Sequence, residues 1–251
     1  MWRTSAELGI SVNLLGVSAI ALAAAFAQGI TGFGFALVAA PLLAVVVGPQ
    51  ESVVALCLIA LPITAWSSLR HRRAASRAAA IRMVVAASTT APVGIWLLSV
   101  LSDRVLQGLV GVVVLSLTVA VIKGIRVGRR GRLLDLIGGA CAGILSTSTG
   151  TNGPPLVIAL QLQDISGYRL RATLAWVFFA SGIVSLVLLG AAGSVTTHSL
   201  ITAGAGWPFA LAGRHFGERA AGRLPARCAQ GLVTILLVAS ATTAIVAAAK
   251  S

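Results

Sequence analysis

With 251 residues, 57% of them hydrophobic and 10% charged, and a mean hydropathy of +0.97, this chain has too little polar surface to cover a globule in water. It reads as an all-α, polytopic membrane protein. Its net charge of +13 would suggest nucleic acid in a soluble chain, but the basic residues cluster in short loops between apolar runs, which leaves the lipid bilayer as partner and removes nucleic acid.

In chain order, the first feature is an interrupted unit with arms Val12–Gln28 and Ala36–Val47, broken by Gly29-Ile30-Thr31-Gly32-Phe33-Gly34-Phe35. Its start imitates a secretory signal, with Arg3, an apolar run and Ala25-Phe26-Ala27 as a cleavage-like site. Cleavage there would delete an arm of a repeated unit, so a retained helix is expected. Three crossings of the usual length follow, at Ser52–Leu69, Ile81–Leu101 and Val105–Ile122. A second interrupted unit has arms Leu133–Leu145 and Pro154–Gln163, broken by Ser148-Thr149-Gly150-Thr151-Asn152-Gly153-Pro154-Pro155. Crossings Leu170–Gly190, Thr197–Gly213 and Cys228–Ala247 complete the chain. Several arms are too short to cross a core about 30 Å thick at about 1.5 Å per residue, so re-entrant or broken helices are expected.

Lys and Arg in short loops mark the cytoplasmic side. Counting Arg70, Arg72, Arg73, Arg77 and Arg82, then Lys123, Arg126, Arg129, Arg130 and Arg132, then Arg169 and Arg171, then Arg214, Arg219, Arg223 and Arg227, 16 of the 19 basic residues fall inside. Both termini are then periplasmic. Residues 1–122 form a first repeat, 123–132 a basic cytoplasmic linker and 133–251 a second repeat, turned over because each half has an odd number of crossings. Two features carry the duplication. The breaks lie 118 residues apart (150 minus 32), and Arg104–Val110 matches Arg227–Val233 at an offset of 123 (227 minus 104).

The carboxylates Glu7, Glu51, Asp103, Asp135, Asp164 and Glu218 all sit at loops or span ends, so no proton-relay pattern appears at mid-membrane. Cys57, Cys141 and Cys228 read as small core residues, His71, His198 and His215 as loop residues, and no metal, cofactor or catalytic triad is expected. Donors in the breaks remain. Irregular backbone in a membrane is tolerated where protein buries it or where it lines a cavity, and the half-helices starting near Phe35 and Pro154 would aim their positive ends into the gap. The candidate substrate-binding residues are Gly29, Thr31, Gly32, Phe33 and Gly34 with Thr149, Gly150, Thr151, Asn152 and Gly153. The competing reading is that the glycines serve helix packing. Pro41 should kink its arm. Trp66 reads as an interface anchor, Trp176 and Trp207 could wall a cavity, and Ser88-Thr89-Thr90 could line a path or bond back to its own helix.

The run Gln28-Gly29-Ile30-Thr31-Gly32-Phe33-Gly34-Phe35-Ala36-Leu37-Val38-Ala39-Ala40-Pro41-Leu42-Leu43, with Gly150-Thr151-Asn152-Gly153-Pro154-Pro155-Leu156 in the second half, resembles the TauE/SafE sulfite-exporter family. The resemblance implies an inner-membrane permease of two related halves that exports sulfite or small organosulfonates, or in some members moves other small anions. Phe35 and Ala36 after Gly34, and Asn152 in the second break, depart from the family's glycine-rich form. The reading is a bacterial secondary transporter for a small anionic substrate. An anion channel and a membrane-embedded assembly or sulfur-transfer helper are the alternatives, and the oligomeric state, a homo-oligomer included, is left open.

Overall fold

The structure, a computed structural model, describes residues 5–102, 105, 131–165 and 167–221. Their regular structure is all helical, with no strand among them. The helices are α1 (Ser5–Thr31), α2 (Phe35–Val47), α3 (Pro49–His71), α4 (Arg77–Val100), α5 (Gly131–Ser148), α6 (Gly153–Gln161), α7 (Gly167–Ala191) and α8 (Thr197–Ala221). Apart from Val105, the expected crossings Val105–Ile122 and Cys228–Ala247 and the matching segments at 104–110 and 227–233 lie outside the described residues, as does the linker before Gly131.

Every helix found coincides with an expected arm or crossing, and most overrun it. Counting apolar residues stops at the first charge, whereas backbone hydrogen bonding carries on into the polar interface. Thus α8 continues past Gly213 to Ala221, with Arg214 donating to Glu218 one turn on at 2.6 Å. By length and composition α1, α3, α4 and α7 can each cross a membrane. The 27 residues of α1 extend about 40 Å, so this first arm is not a short one. In contrast α2, with 13 residues, reaches about 20 Å and α6, with nine, about 14 Å. α2 stays one helix through Pro41, which is buried.

Charge divides the bundle into two ends. Every described arginine lies at the end formed by the C-termini of α3 and α8 and the N-termini of α4, α5 and α7. The opposite end carries Gly48 at the α2–α3 corner and Glu51, whose Oε1 accepts from Thr196 Oγ1 at 2.8 Å with His198 Nδ1 3.9 Å from Oε2. The hairpin α1–α2 therefore opens from the acidic end and α5–α6 from the basic end.

Lipid tails give helices no hydrophobic reason to associate, so contact depends on close packing of small residues. The two most extensive helix pairs have that character. In α1–α8, Gly213 and Gly217 sit on the backbone of Leu22 and Phe26, while Gly29 meets Arg214 and Gly217. In α4–α5, Gly139 and Gly143 sit on the backbone of Met83 and Ala87, while Gly94 meets Ile144. One buried cluster joins α1, α2 and α3 to α8, and a second joins α5, α6 and α7 to α4. Half-buried Phe33 packs on both. Large apolar side chains on the outside, among them Leu15, Val85, Val187, Leu200 and Phe209, suit a surface facing lipid.

Candidate functional site

The last turn of α1 runs through Thr31, and the chain then turns through Gly32 (φ 85°) and Gly34 (φ 101°) into α2. A side chain at either position would be strained, because the left-handed region brings a Cβ against the following carbonyl. At Gly32 a Cβ would also collide with the stem of Arg171, whose Nη2 donates to Ile30 O at 2.8 Å and so caps the end of α1. The Thr31 hydroxyl lies between Ala27 O (2.9 Å) and Phe33 O, inside the turn itself.

The second break forms differently. Gly150 (φ 71°) turns the chain so that the N–H groups of Thr149 and Thr151 both reach Leu145 O, at 3.0 and 3.2 Å. Thr149 Oγ1 donates to Leu145 O at 2.9 Å and lies 2.7 Å from Thr151 Oγ1. Both threonines are buried. α6 then starts at Gly153 with Asn152 as its N-cap, and the Asn152 carboxamide makes no capping bond. Because Pro154 and Pro155 follow, the first turn of α6 offers fewer N–H groups than a free helix start.

The two hairpins enter from opposite ends, yet their tips line one cavity of about 50 Å³. From the first break come Gly34, Phe35, Ala36 and Leu37; from the second come Gly150, Asn152 and Gly153. Gln28, Thr64, Ser146 and Phe178 contribute to the remaining wall, and none of the described lining residues is charged. A water needs about 10–15 Å³ by the same measure, so the cavity has room for a small oxyanion or a few waters.

A second, larger cavity of about 200 Å³ lies at the basic end, lined by Arg70, Arg171, Arg214, His71, Tyr168 and Glu218, with Gly29 and Gly32 at its inner wall. Tyr168 Oη lies 2.7 Å from His71 Nδ1, and Arg214 gives one nitrogen to Glu218 while its Nε is buried with no hydrogen-bond partner among the described residues. Three residues, Gln28, Thr64 and Phe178, belong to both cavities and form the partition between them.

The candidate residues therefore fall into three positions. Gly34, Gly150, Asn152 and Gly153 line the inner cavity; Gly29 and Gly32 line the basic vestibule, Gly29 also closing the α1–α8 crossing; Thr31, Phe33, Thr149 and Thr151 shape the breaks and pack beneath them. Gln28 and Arg171 belong to this region and are absent from the candidate set. Gln28 stands one residue before the first glycine, so adjacency to the break was a usable signal; Arg171 comes from a helix start 137 residues after Gly34 (171 minus 34) and had none. Trp176 and Trp207, 41% and 43% exposed, face outward, with Trp207 Nε1 donating to Leu58 O at 2.9 Å. Ser88, Thr89 and Thr90 bond back to carbonyls of their own helix, and Thr90 also reaches Ala140 O at 2.8 Å.

The model of one protein family, described as sulfite exporter TauE/SafE, matches residues 17–244. No curated protein and no solved structure matches the chain. A match over nearly the whole length, on a bundle with four helices able to cross a bilayer, places the chain among multi-pass membrane proteins, and it belongs to the sulfite exporter TauE/SafE family.

Proposed function

We propose that this protein is a secondary transporter that exports a small oxyanion, sulfite or a short sulfonate, across a bacterial inner membrane. One observation carries the reading: two broken hairpins entering from opposite ends bring their tips to one small, uncharged, partly polar cavity. Broken helices at a repeat interface are where carriers hold their cargo. The cavity's size favours sulfite over larger sulfonates.

In this reading the halves 1–122 and 133–251 are inverted repeats joined by the linker 123–132. Helix packing supports it, because exchanging α1 with α5, α2 with α6, α3 with α7 and α4 with α8 leaves the pattern of principal contacts unchanged. The α1–α8 pair runs from the acidic to the basic end and the α5–α4 pair from the basic to the acidic end, as an in-plane two-fold requires. Arginines at one end make that end cytoplasmic and the termini periplasmic. The vestibule then faces the cytoplasm, where its positive charge concentrates anions. A membrane potential drives an anion outward with about 2.3 kcal/mol per charge per 100 mV, so export needs no coupling ion.

Proteoliposomes loaded with labelled sulfite test the proposal. Efflux should exceed that of protein-free vesicles, respond to imposed voltage and show trans-stimulation, which a channel lacks. Gly150→Ala should remove most of the flux, because the new Cβ is strained at φ 71° and falls 2.7 Å from Leu56 Cδ1 at the cavity wall. Absence of flux for sulfite and for every short sulfonate would overturn the transport reading.

A further inference from the structure

Gln28 is 4% exposed, and its Oε1 is buried with no hydrogen-bond partner among the described residues. An unfilled buried carbonyl is disfavoured unless something arrives to donate to it. Its position is equally unusual: with Thr64 and Phe178 it forms the partition between the arginine-lined vestibule and the inner cavity. Thr64 donates its hydroxyl proton to Ala60 O or Leu61 O of its own helix, at 2.9 and 3.0 Å, so among the described residues at the partition the carboxamide of Gln28 is the side-chain donor left for a solute.

We propose that Gln28 is the specificity-determining residue of the path and that it selects a protonated monoanion, such as hydrogen sulfite, over a fully ionised dianion. This rests on the transport reading above. A carboxamide offers two N–H donors and an acceptor. A monoanion that carries a proton fills both ends at once: its charged oxygens accept from Nε2, and its own O–H donates to Oε1. A dianion leaves Oε1 unfilled and repels it.

The cavity beyond the partition makes the same choice for an independent reason. None of its described lining residues is charged, so a solute entering from between Arg70, Arg171 and Arg214 exchanges strong ionic partners for neutral ones. That exchange is far harder for two charges than for one. Asn152, on the second break, supplies another carboxamide within the cavity. Neutral donors also hold an anion weakly enough to release it.

The test measures sulfite efflux from proteoliposomes across the pH range in which hydrogen sulfite loses its proton, with sulfate as the dianionic competitor. Wild-type flux should follow the hydrogen sulfite fraction, and sulfate, which the vestibule arginines can gather, should not cross. Gln28→Leu should raise KM about 10- to 100-fold, as expected for a lost hydrogen bond to a charged partner, and should lessen the discrimination against sulfate. Gln28→Asn, which keeps a carboxamide on a shorter stem, should fall between. Unfolding midpoints equal to wild type identify folded variants, and the wild-type pH profile stands without any variant. Flux that follows the dianion, or a folded Gln28→Leu with unchanged KM and discrimination, overturns the proposal. If wild-type vesicles move no sulfite species at any pH, the transport reading fails; a sulfite-induced rise in melting temperature that Gln28→Leu abolishes would then still support recognition by Gln28, and an equal rise in both would overturn it.

Discussion

Gly143→Ala should weaken the folded state by about 3 kcal/mol, the upper end of what overpacking one methyl normally costs. A Cβ on Gly143 would lie closer than 3.0 Å to Ala87 O and to Thr90 Oγ1, a separation that real Cβ atoms do not show. Ala87 O is backbone in the middle of α4, so it cannot rotate aside. The remaining response is to move α5 off α4, which also strains the Thr90 to Ala140 O bond (2.8 Å) and the Thr147 to Ala91 O bond (2.7 Å) that tie the two helices. In a bilayer no gain in apolar burial compensates for that separation. The check is the unfolding midpoint in a denaturing-detergent titration, with Gly204→Ala as comparison. Among the described residues, no heavy atom outside its own helix lies within 4 Å of a Cβ at Gly204, so the better helix propensity of alanine should leave that variant unchanged or slightly more stable. Equal midpoints for Gly143→Ala and wild type would show that the crossing is looser than described.

Arg82→Ala should be at least as damaging, and more so than Asp135→Asn. Asp135 is 0% exposed and accepts from Arg82 Nη2 at 2.6 Å, from Arg82 Nε at 2.9 Å and from Gln163 Nε2 at 2.7 Å. Removing the guanidinium leaves a buried carboxylate with a single donor, a change that typically costs about 3–5 kcal/mol. Removing the carboxylate charge instead leaves Arg82, 33% exposed, able to turn toward water. Asp135→Asn should therefore cost about 1–2 kcal/mol. Replacing both residues with leucine should recover much of the Arg82→Ala loss, because a buried pair is more harmful broken than absent. The same detergent titration compares all three. A double variant no more stable than Arg82→Ala would mean that the network aligns α4, α5 and α6 rather than merely neutralising one buried charge.

Much of the architecture was legible in the sequence because membrane insertion imposes a simple rule. Each crossing must be a long apolar helix, so α3, α4 and α7 stand out by composition, and Gly32, Gly34 and Gly150 mark breaks because helices reject φ > 0. The helix ends were less legible, since charge at Arg214 and Glu218 ends an apolar run but not a helix. Donor roles for individual side chains were hardest to read. Thr31, Thr149 and Thr151 carry the right chemistry for an anion, but sequence gives no way to see that their hydroxyls engage the turns that hold them. Asn152 and Gln28 instead line the inner cavity with carboxamides, a placement that composition does not reveal.

By itself the sequence determined the solvent this protein lives in, the number of helical segments in the described residues and the position of both breaks, because hydrophobicity and backbone conformation are local properties of residues. Only the tertiary structure decided that α8 joins the first hairpin and α4 the second, that the two breaks share one cavity, and that Gln28 separates it from the arginines. Those facts depend on which glycines meet which backbones far along the chain, as Gly139 meets Met83 (56 residues away, 139 minus 83) and Gly29 meets Gly217 (188 away, 217 minus 29), and such pairings leave no mark in local composition.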